Sequence, residues 1–525
     1  MTRLYVFADD SMEGRDAGTQ GNVRGTNYLA AEARRIGLEP GGENGSFFQT
    51  VPMVNRGTDS SSTLEVAGAP FLVDQDFIPI PLVRLLSYGW QIQAESAPAF
   101  YAGKVGDSLT PAILAQSAGK FVVFAPGLSE NGKPTPLLFI HGPPPALPAA
   151  AAVAFATRDI LPKETLDFLH QPQPVLTSTL EKKRRIPLSL LISSALAEKL
   201  FGRPLASLTP GTMGKPVAGH IKFFATPPAA PARNVVAILP GSDPRLRGEY
   251  VALGAHNDHI GVRHAPEALD HDSLRLFNAI ARPEGEEKLA EPLTPAQRTT
   301  IRRELDSLRR IRPPRPDSIF NGADDDGTGS VTLLEIAEAF ARGQPRPKRS
   351  ILFVWHGAEE KGLFGSEWFT DHPTVPRDSI VAQLNLDMVG RGGASDVRGG
   401  GPNALDLVGS RRLSTELGGL IEQINRPRRP AFKIDYRYDV RGDPTNLYCR
   451  ADHFMYARFG IPIAYFTTGF HRDFHQVTDE PQYIDYDHMA RVAGLVRGVA
   501  LSVADLDHRL VVDQPKPDPN APCRQ

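Results

Sequence analysis

The chain reads as a mixed α/β protein. Its expected core is a mostly parallel central sheet flanked by helices, and a β-rich unit is inserted ahead of most of that sheet. Three observations predict this. After about residue 231, short apolar runs alternate with amphipathic segments. Between about 60 and 215, short β-rich pieces are mixed with many Pro and Gly and few charge clusters. Finally, 525 residues exceed what one core holds, so two folded units or three are expected.

Taken in order, residues 11–54 read as a helix followed by an extended piece. Asn22 is the expected N-cap. Tyr28, Leu29, Ala33 and Ile36 form a partial apolar stripe, and Gly37 stops the helix. Phe121-Val122-Val123-Phe124 typifies the β-rich segment. Thr226-Pro227-Pro228-Ala229-Ala230-Pro231 reads as a linker. Strands then follow at Val235–Leu239, Tyr250–Gly254, Ile351–Trp355, Val381–Leu386 and Ile461–Phe466. A helix at Val331–Phe340 carries Leu333, Leu334, Ala337 and Phe340 on one face.

Residues 261–318 interrupt the alternation. Thr294-Pro295 is an N-cap and first-turn pair. Ile301, Leu305, Leu308 and Ile311 make a narrow stripe on a very basic helix, as expected of a surface helix docked along that stripe. The expected boundaries are 1–58 for the first part of the larger α/β unit and 59–218 for the inserted β unit. The rest of the larger unit spans 219–510, and 511–525 is a Pro- and Asp-rich disordered tail.

Composition narrows the function. The 58 basic and 60 acidic residues balance to −2, without the basic surplus of a nucleic-acid binder. The longest apolar stretch, Ala146–Ala156, falls short of the roughly 18 residues of a membrane span. Met1-Thr2-Arg3-Leu4-Tyr5-Val6 lacks the apolar region of a signal peptide. Cys449 and Cys523 suffice for one disulfide but not for a zinc ribbon.

The chemistry lies in five short segments: His256-Asn257-Asp258, Asp324-Asp325-Asp326, Glu359-Glu360, Asp387 and His475. Three directly follow an apolar strand and two lie in nearby loops. Parallel strands that end at one edge would bring them together, where open α/β sheets bind ligands. Each segment alone has a plainer reading. An Asp-Asp-Asp-Gly is usually a turn or a cap, and two acids often open a helix. Together they match a two-metal site, which needs one bridging acid and roughly one His and one acid per metal. His256, Asp325, Glu360, Asp387 and His475 supply that inventory. Glu359 is left over as general base.

These segments resemble the M28 family of zinc aminopeptidases. The resemblance runs through Gly254-Ala255-His256-Asn257-Asp258-His259, Asn321-Gly322-Ala323-Asp324-Asp325-Asp326-Gly327-Thr328-Gly329 and Glu359-Glu360-Lys361-Gly362-Leu363-Phe364-Gly365-Ser366. It continues through Asn385-Leu386-Asp387-Met388, Ala451-Asp452-His453 and Phe474-His475-Gln476-Val477-Thr478-Asp479. The early Ser11-Met12-Glu13-Gly14-Arg15 resembles the start of the longer members, and the β-rich segment resembles their protease-associated (PA) domain.

The resemblance implies the zinc-aminopeptidase (phosphorylase/hydrolase-like) fold and two Zn2+ ions bridged by Asp325. His256 and Asp387 would complete one site, and Glu360 and His475 the other. Glu359 would activate the metal-bridging water, and Asp258 would orient His256. A cis Asp325–Asp326 peptide is implied, as is Tyr448 donating a hydrogen bond to the oxyanion. The substrate would be a peptide with a free N-terminus, and the location periplasmic or extracellular. Two departures stand out: Asn257 replaces the usual Tyr and Ala451 a frequent Ser.

A carboxypeptidase or a glutaminyl cyclase is the alternative on the same scaffold. The former would need arginines such as Arg437, Arg441 or Arg450 facing a carboxylate. A non-catalytic, receptor-like binding module would lack metal ligands, and all five are present.

Overall fold

The computed structural model describes all residues except 81–91, 129–133, 136–146, 148, 179–186, 264–267, 283–284, 286–292, 344–345, 394–395, 398, 522 and 524. Parts of the 261–318 insert, of the 146–156 run and of the 511–525 tail therefore lie outside the described residues. Among the described residues, no helix is long and apolar enough to cross a membrane.

The chain divides into Met1–Val51 with Ala229–Gln525, and Pro52–Pro228. The expected boundaries at 59 and 218 fall inside the second unit. Met53–Thr58 pairs with Gln173–Leu176 on one side and Phe223–Thr226 on the other. Backbone ladder bonds of the inserted unit thus claim residues that sequence texture assigned to the flanks.

The catalytic unit is built on a nine-stranded mixed sheet. Its strands are β1 (Glu39–Pro40), β2 (Phe48–Val51), β3 (Ala232–Leu239), β4 (Tyr250–His256), β5 (Ser350–His356), β6 (Ile380–Leu386), β7 (Ala404–Val408), β8 (Lys433–Asp435) and β9 (Ile463–Thr467). The order is β1-β3-β5-β4-β6-β9-β7-β8, with β2 also on β3. Neighbours from β5 to β9 are parallel, and antiparallel pairs flank them. The sheet is therefore mixed, with a parallel centre.

The central strands read as continuous apolar runs because both faces are covered. Alternate residues serve opposite faces. Val251, Leu253, Phe353 and Trp355 join one core with helices α1 (Gln20–Ile36), α2 (Gly329–Arg342) and α3 (Tyr486–Asp505). Ala252, Leu352 and Val354 join another with Phe369 and Tyr456.

Helix α1 ends as expected at Gly37, in the left-handed conformation. Its cap is Thr19, not Asn22: the Thr19 hydroxyl accepts from the Asn22 N–H, while the Asn22 amide donates to Asn257 Oδ1 at 2.9 Å. A buried partner just past β4 claims the side chain that local rules assign to capping. In the insert, Thr294 and Gln297 form a reciprocal capping box on the helix Pro295–Ile311.

The tail departs from the expected disorder. Thr415 N–H donates to Asp513 Oδ1 at 3.0 Å, and Cys523 is disulfide-bonded to Cys449. The Tyr448 N–H donates to Gln525 Oε1 at 3.0 Å. Specific anchors hold a segment whose composition is that of a loose end.

The inserted unit has its own mixed sheet of eight strands. Its centre is a parallel run of Ile92–Lys104, Phe121–Ala125, Ala152–Phe155 and Leu188–Ile192.

Candidate active site

The parallel strands deliver the site. His256 is the last residue of β4, Glu359 and Glu360 lie just past β5, and Asp387 directly follows β6. His475 lies in the loop after β9, and Asp325 in a tight turn before α2. That turn depends on Gly322, whose φ is +52° and where an added Cβ would come 2.3 Å from the Asp325 carbonyl oxygen. The Asp325–Asp326 peptide is cis.

Asp325 lies at the centre. Its Oδ1 is 3.0 Å from His256 Nε2 and its Oδ2 is 3.1 Å from His475 Nε2. His256 Nε2 is also 3.7 Å from Asp387 Oδ1, and His475 Nε2 is 3.2 Å from Glu360 Oε2. All five expected ligands therefore meet in the proposed two sets. His475, at 30% side-chain exposure, is the open side of an otherwise buried group.

Two further residues come equally close. Ligand atoms of His256, Asp326 and Asp387 lie within 4.8 Å of one another, as do those of His259, Asp325 and Glu360. Asp326 is already committed, because its carboxylate accepts from the backbone N–H groups of His256, Gly329 and Met388. Asp325 is the better bridge, since its two oxygens face different imidazoles. His259 is fully buried with Nδ1 2.8 Å from Glu360 Oε1. His259 shares the motif of His256, but the sequence pattern assigns it no role.

Asp258 acts differently from expectation. His256 Nδ1 lies 3.0 Å from the backbone carbonyl of Asp258, and 3.8 Å from its carboxylate. The carboxylate instead accepts the backbone N–H of Glu359 at 3.0 Å and of Glu360 at 3.4 Å. One residue thus fixes the His256 tautomer through its main chain and the two glutamates through its side chain.

Several supports were not foreseen in these roles. Asp479 accepts the backbone N–H groups of Asp324 and Asp325 and so holds the central turn. Arg15 is fully buried and donates to the carbonyls of Phe7, Asn321 and Gly322. That gives the early Ser-Met-Glu-Gly-Arg motif a physical purpose: it clasps the turn that presents Asp325. Asp452 lies 3.3 Å from His356 Nδ1, beneath the glutamates' strand end.

Tyr448 is buried, and the Arg412 guanidinium lies 4.1 Å above its ring. Among the described residues no hydrogen bond or ion pair joins it to the carboxylate cluster. Burial pushes its phenol up to about 12, keeping it protonated and able to donate.

Electrostatics separates the acids. Burial raises Glu359 well above the usual carboxylate range; His256 opposes this, and Glu360, Asp452 and Asp387 add to it. Burial likewise lifts Asp258 to about 7. Asp325 moves the other way. Burial would raise it, but His256 and His475 outweigh that and hold it well below the ordinary value. Burial would lower His256, yet Asp325 and Asp387 raise it well above 6.5. Burial would lower His475 as well, yet Glu360 and Asp325 raise it well above its ordinary value.

These residues fit a cation. Asp325 Oδ2 and Glu360 Oε1 are buried without a hydrogen-bond partner, as are both ring nitrogens of His259. Acids and imidazoles that face one another without donors leave room for positive charge between them.

A mixed α/β sheet with such a cluster beyond its parallel strand ends is the layout of a metallohydrolase. A family model described as Peptidase family M28 matches residues 234–500, half of the chain, and the chain belongs to that family. Leucine aminopeptidase 1 of Aspergillus clavatus is 29% identical over 192 residues, 35% of this chain and 47% of that protein. Leupeptin-inactivating enzyme 1 of Streptomyces exfoliatus is 40% identical over 150 residues, 28% of this chain and 30% of that protein. The match spans about half the length or less of these curated relatives. Among solved structures, an aminopeptidase from Aneurinibacillus sp. strain AM-1 shares the fold, with a TM-score of 0.50 and 15% identity over 98% of this chain and 96% of that one.

Proposed function

We propose that this chain is a binuclear zinc aminopeptidase that removes the N-terminal residue from peptides. The observation that carries the reading is Asp325, whose two oxygens face His256 and His475 separately. His256 and Asp387 would hold one ion, Glu360 and His475 the other, with Asp325 shared. Bound zinc supplies Lewis-acid polarisation of the scissile carbonyl and acidifies water.

The chain's own residues do the proton work. Glu359 takes a proton from the attacking water and returns it to the leaving amine. Burial raises its affinity for a proton, which suits a group that takes a proton up and later gives it back. Asp258 keeps Glu359 in place through its backbone N–H. Tyr448 donates its phenolic hydrogen to the developing oxyanion, a step that requires its loop to approach the substrate. We read the unit at 52–228 as the PA-type domain, supported by its compactness and its place in the chain. Export to the periplasm or beyond fits the Cys449–Cys523 disulfide.

The test is Glu359→Gln. Turnover of leucyl-4-nitroanilide is expected to fall by about 10²–10⁴-fold while zinc content stays unchanged. Wild-type-like turnover by the zinc-replete variant removes Glu359 from the role of base. A carboxypeptidase would turn Arg437, Arg441 or Arg450 to the substrate carboxylate; of these, Arg437 already pairs with Asp406 at 2.7 Å. N-blocked against C-blocked peptides separate the two activities.

A further inference from the structure

A third group of metal-type side chains lies in the catalytic unit, outside the Asp325 cluster. His271 opens the first insert helix, Asp317 lies on the last insert strand, and Glu480 follows the loop that carries His475. One ligand atom from each lies within 4.8 Å of the other two. The backbone explains their meeting. Leu269 pairs with Asp317 and Asp270 with Pro316, and the His271 N–H donates to the Arg315 carbonyl at 3.0 Å.

The imidazole is the informative member. His271 is fully buried, and neither ring nitrogen makes a hydrogen bond. Its Nε2 lies 3.0 Å from Glu480 Oε2, and its Nδ1 lies 3.5 Å from Asp272 Oδ1. A histidine placed merely to pair with a glutamate would aim an N–H along that line. Here Nε2 closes on the acid without hydrogen-bond alignment. The Tyr483 ring stacks on the imidazole and holds its plane. Glu480 Oε2 also receives Arg315 at 3.3 Å and the Gln482 amide. Among the described residues, Asp317 Oδ1 accepts only the Ile319 N–H, at 3.1 Å.

We propose that His271, Asp317 and Glu480 form a separate site for a divalent cation of the zinc class. One imidazole nitrogen and two carboxylate oxygens are a zinc donor set, with water as the fourth ligand. The site would fasten the 261–318 insert to the loop of His475 and Asp479, with Arg315 releasing Glu480 when the ion binds. That gives the insert a docking device beyond the apolar stripe of its second helix.

The experiment counts zinc. Full-length wild type, His271→Ala and Asp317→Asn are saturated with zinc sulfate, desalted, and measured for zinc per chain by mass spectrometry. Each variant is expected to hold one zinc fewer than wild type. Because the readout is a difference, it does not depend on how many ions the Asp325 cluster takes or on whether the chain is an aminopeptidase. Asp317→Asn keeps the shape of a partly exposed side chain, so it decides the matter if His271→Ala fails to fold. Equal zinc in wild type and folded Asp317→Asn overturns the proposal.

Discussion

The two units share an architectural device and differ in the residues that lie beyond it. Each has a mixed sheet with four adjacent parallel strands at its centre. In the catalytic unit those strands run out into His256, Glu359-Glu360 and Asp387. In the inserted unit they run out into Pro126-Gly127, Ala156-Thr157 and Ser193-Ser194. Among the described residues, every metal-type group falls in the catalytic unit. The sheet supplies an edge where loops converge, and the residues just past the strands decide whether chemistry happens there.

Substitution tests that contrast, and the largest effect is expected at its centre. Asp325→Ala removes the acid common to both ligand sets, so the zinc held by that cluster and the peptidase activity should be lost together, leaving only zinc bound elsewhere. Metal analysis beside a nitroanilide assay reads both. Near-normal zinc in this variant would show that Asp325 is not the shared ligand.

The inserted unit should respond in stability alone. Leu190 is fully buried in its core, and Leu190→Ala is expected to cost about 2–5 kcal/mol. Calorimetry should show an earlier transition for that unit, with unchanged kcat on leucyl-4-nitroanilide. A matching loss of kcat would mean that the two units are not energetically separate.

Proton linkage sharpens the difference further. His256 and His475 are raised above 6.5 in the metal-free protein, and Glu359 above its usual range. A group raised in the folded state contributes stability fully below its unfolded value and loses it as pH climbs through the folded one. Chelator-treated protein should therefore melt at lower temperature as pH rises past 6.5. Saturating zinc should flatten that slope by taking the place of the protons. A metal-free melting temperature that rises over this window would contradict the sign.

The smallest effect is expected from removing the inserted unit. Val51 and Ala232 are register partners across β2 and β3, so a short linker can replace residues 52–228. Activity of the shortened chain on leucyl-4-nitroanilide should stay within a few-fold of wild type, as expected when a separately cored unit is excised. Loss of soluble protein would show that the catalytic unit depends on its insert.

Much of the fold and of the site is legible in residue order. The apolar runs at 235–239, 351–355 and 381–386 announce central strands because both of their faces are buried, leaving no alternation to confuse the reading. The five proposed ligands and Glu359 stand out because few other reasons gather acids and histidines at strand ends and in the loops beside them. Asn22 misleads as a cap because its amide answers to Asn257, more than two hundred residues away. The tail misleads because Cys523, Asp513 and Gln525 find their partners only in space.

By itself, then, the order of residues determined which side chains could bind metal and which stretches could be central strands. Both follow from side-chain chemistry and local periodicity. Only the tertiary structure decided that Asp258 works through its carbonyl on His256 and its carboxylate on the glutamates. It alone placed Arg15 under the Asp325 turn and brought His271 to Glu480. Those are contacts between distant segments, set by the pairing of strands and the closing of loops, and no local pattern encodes them.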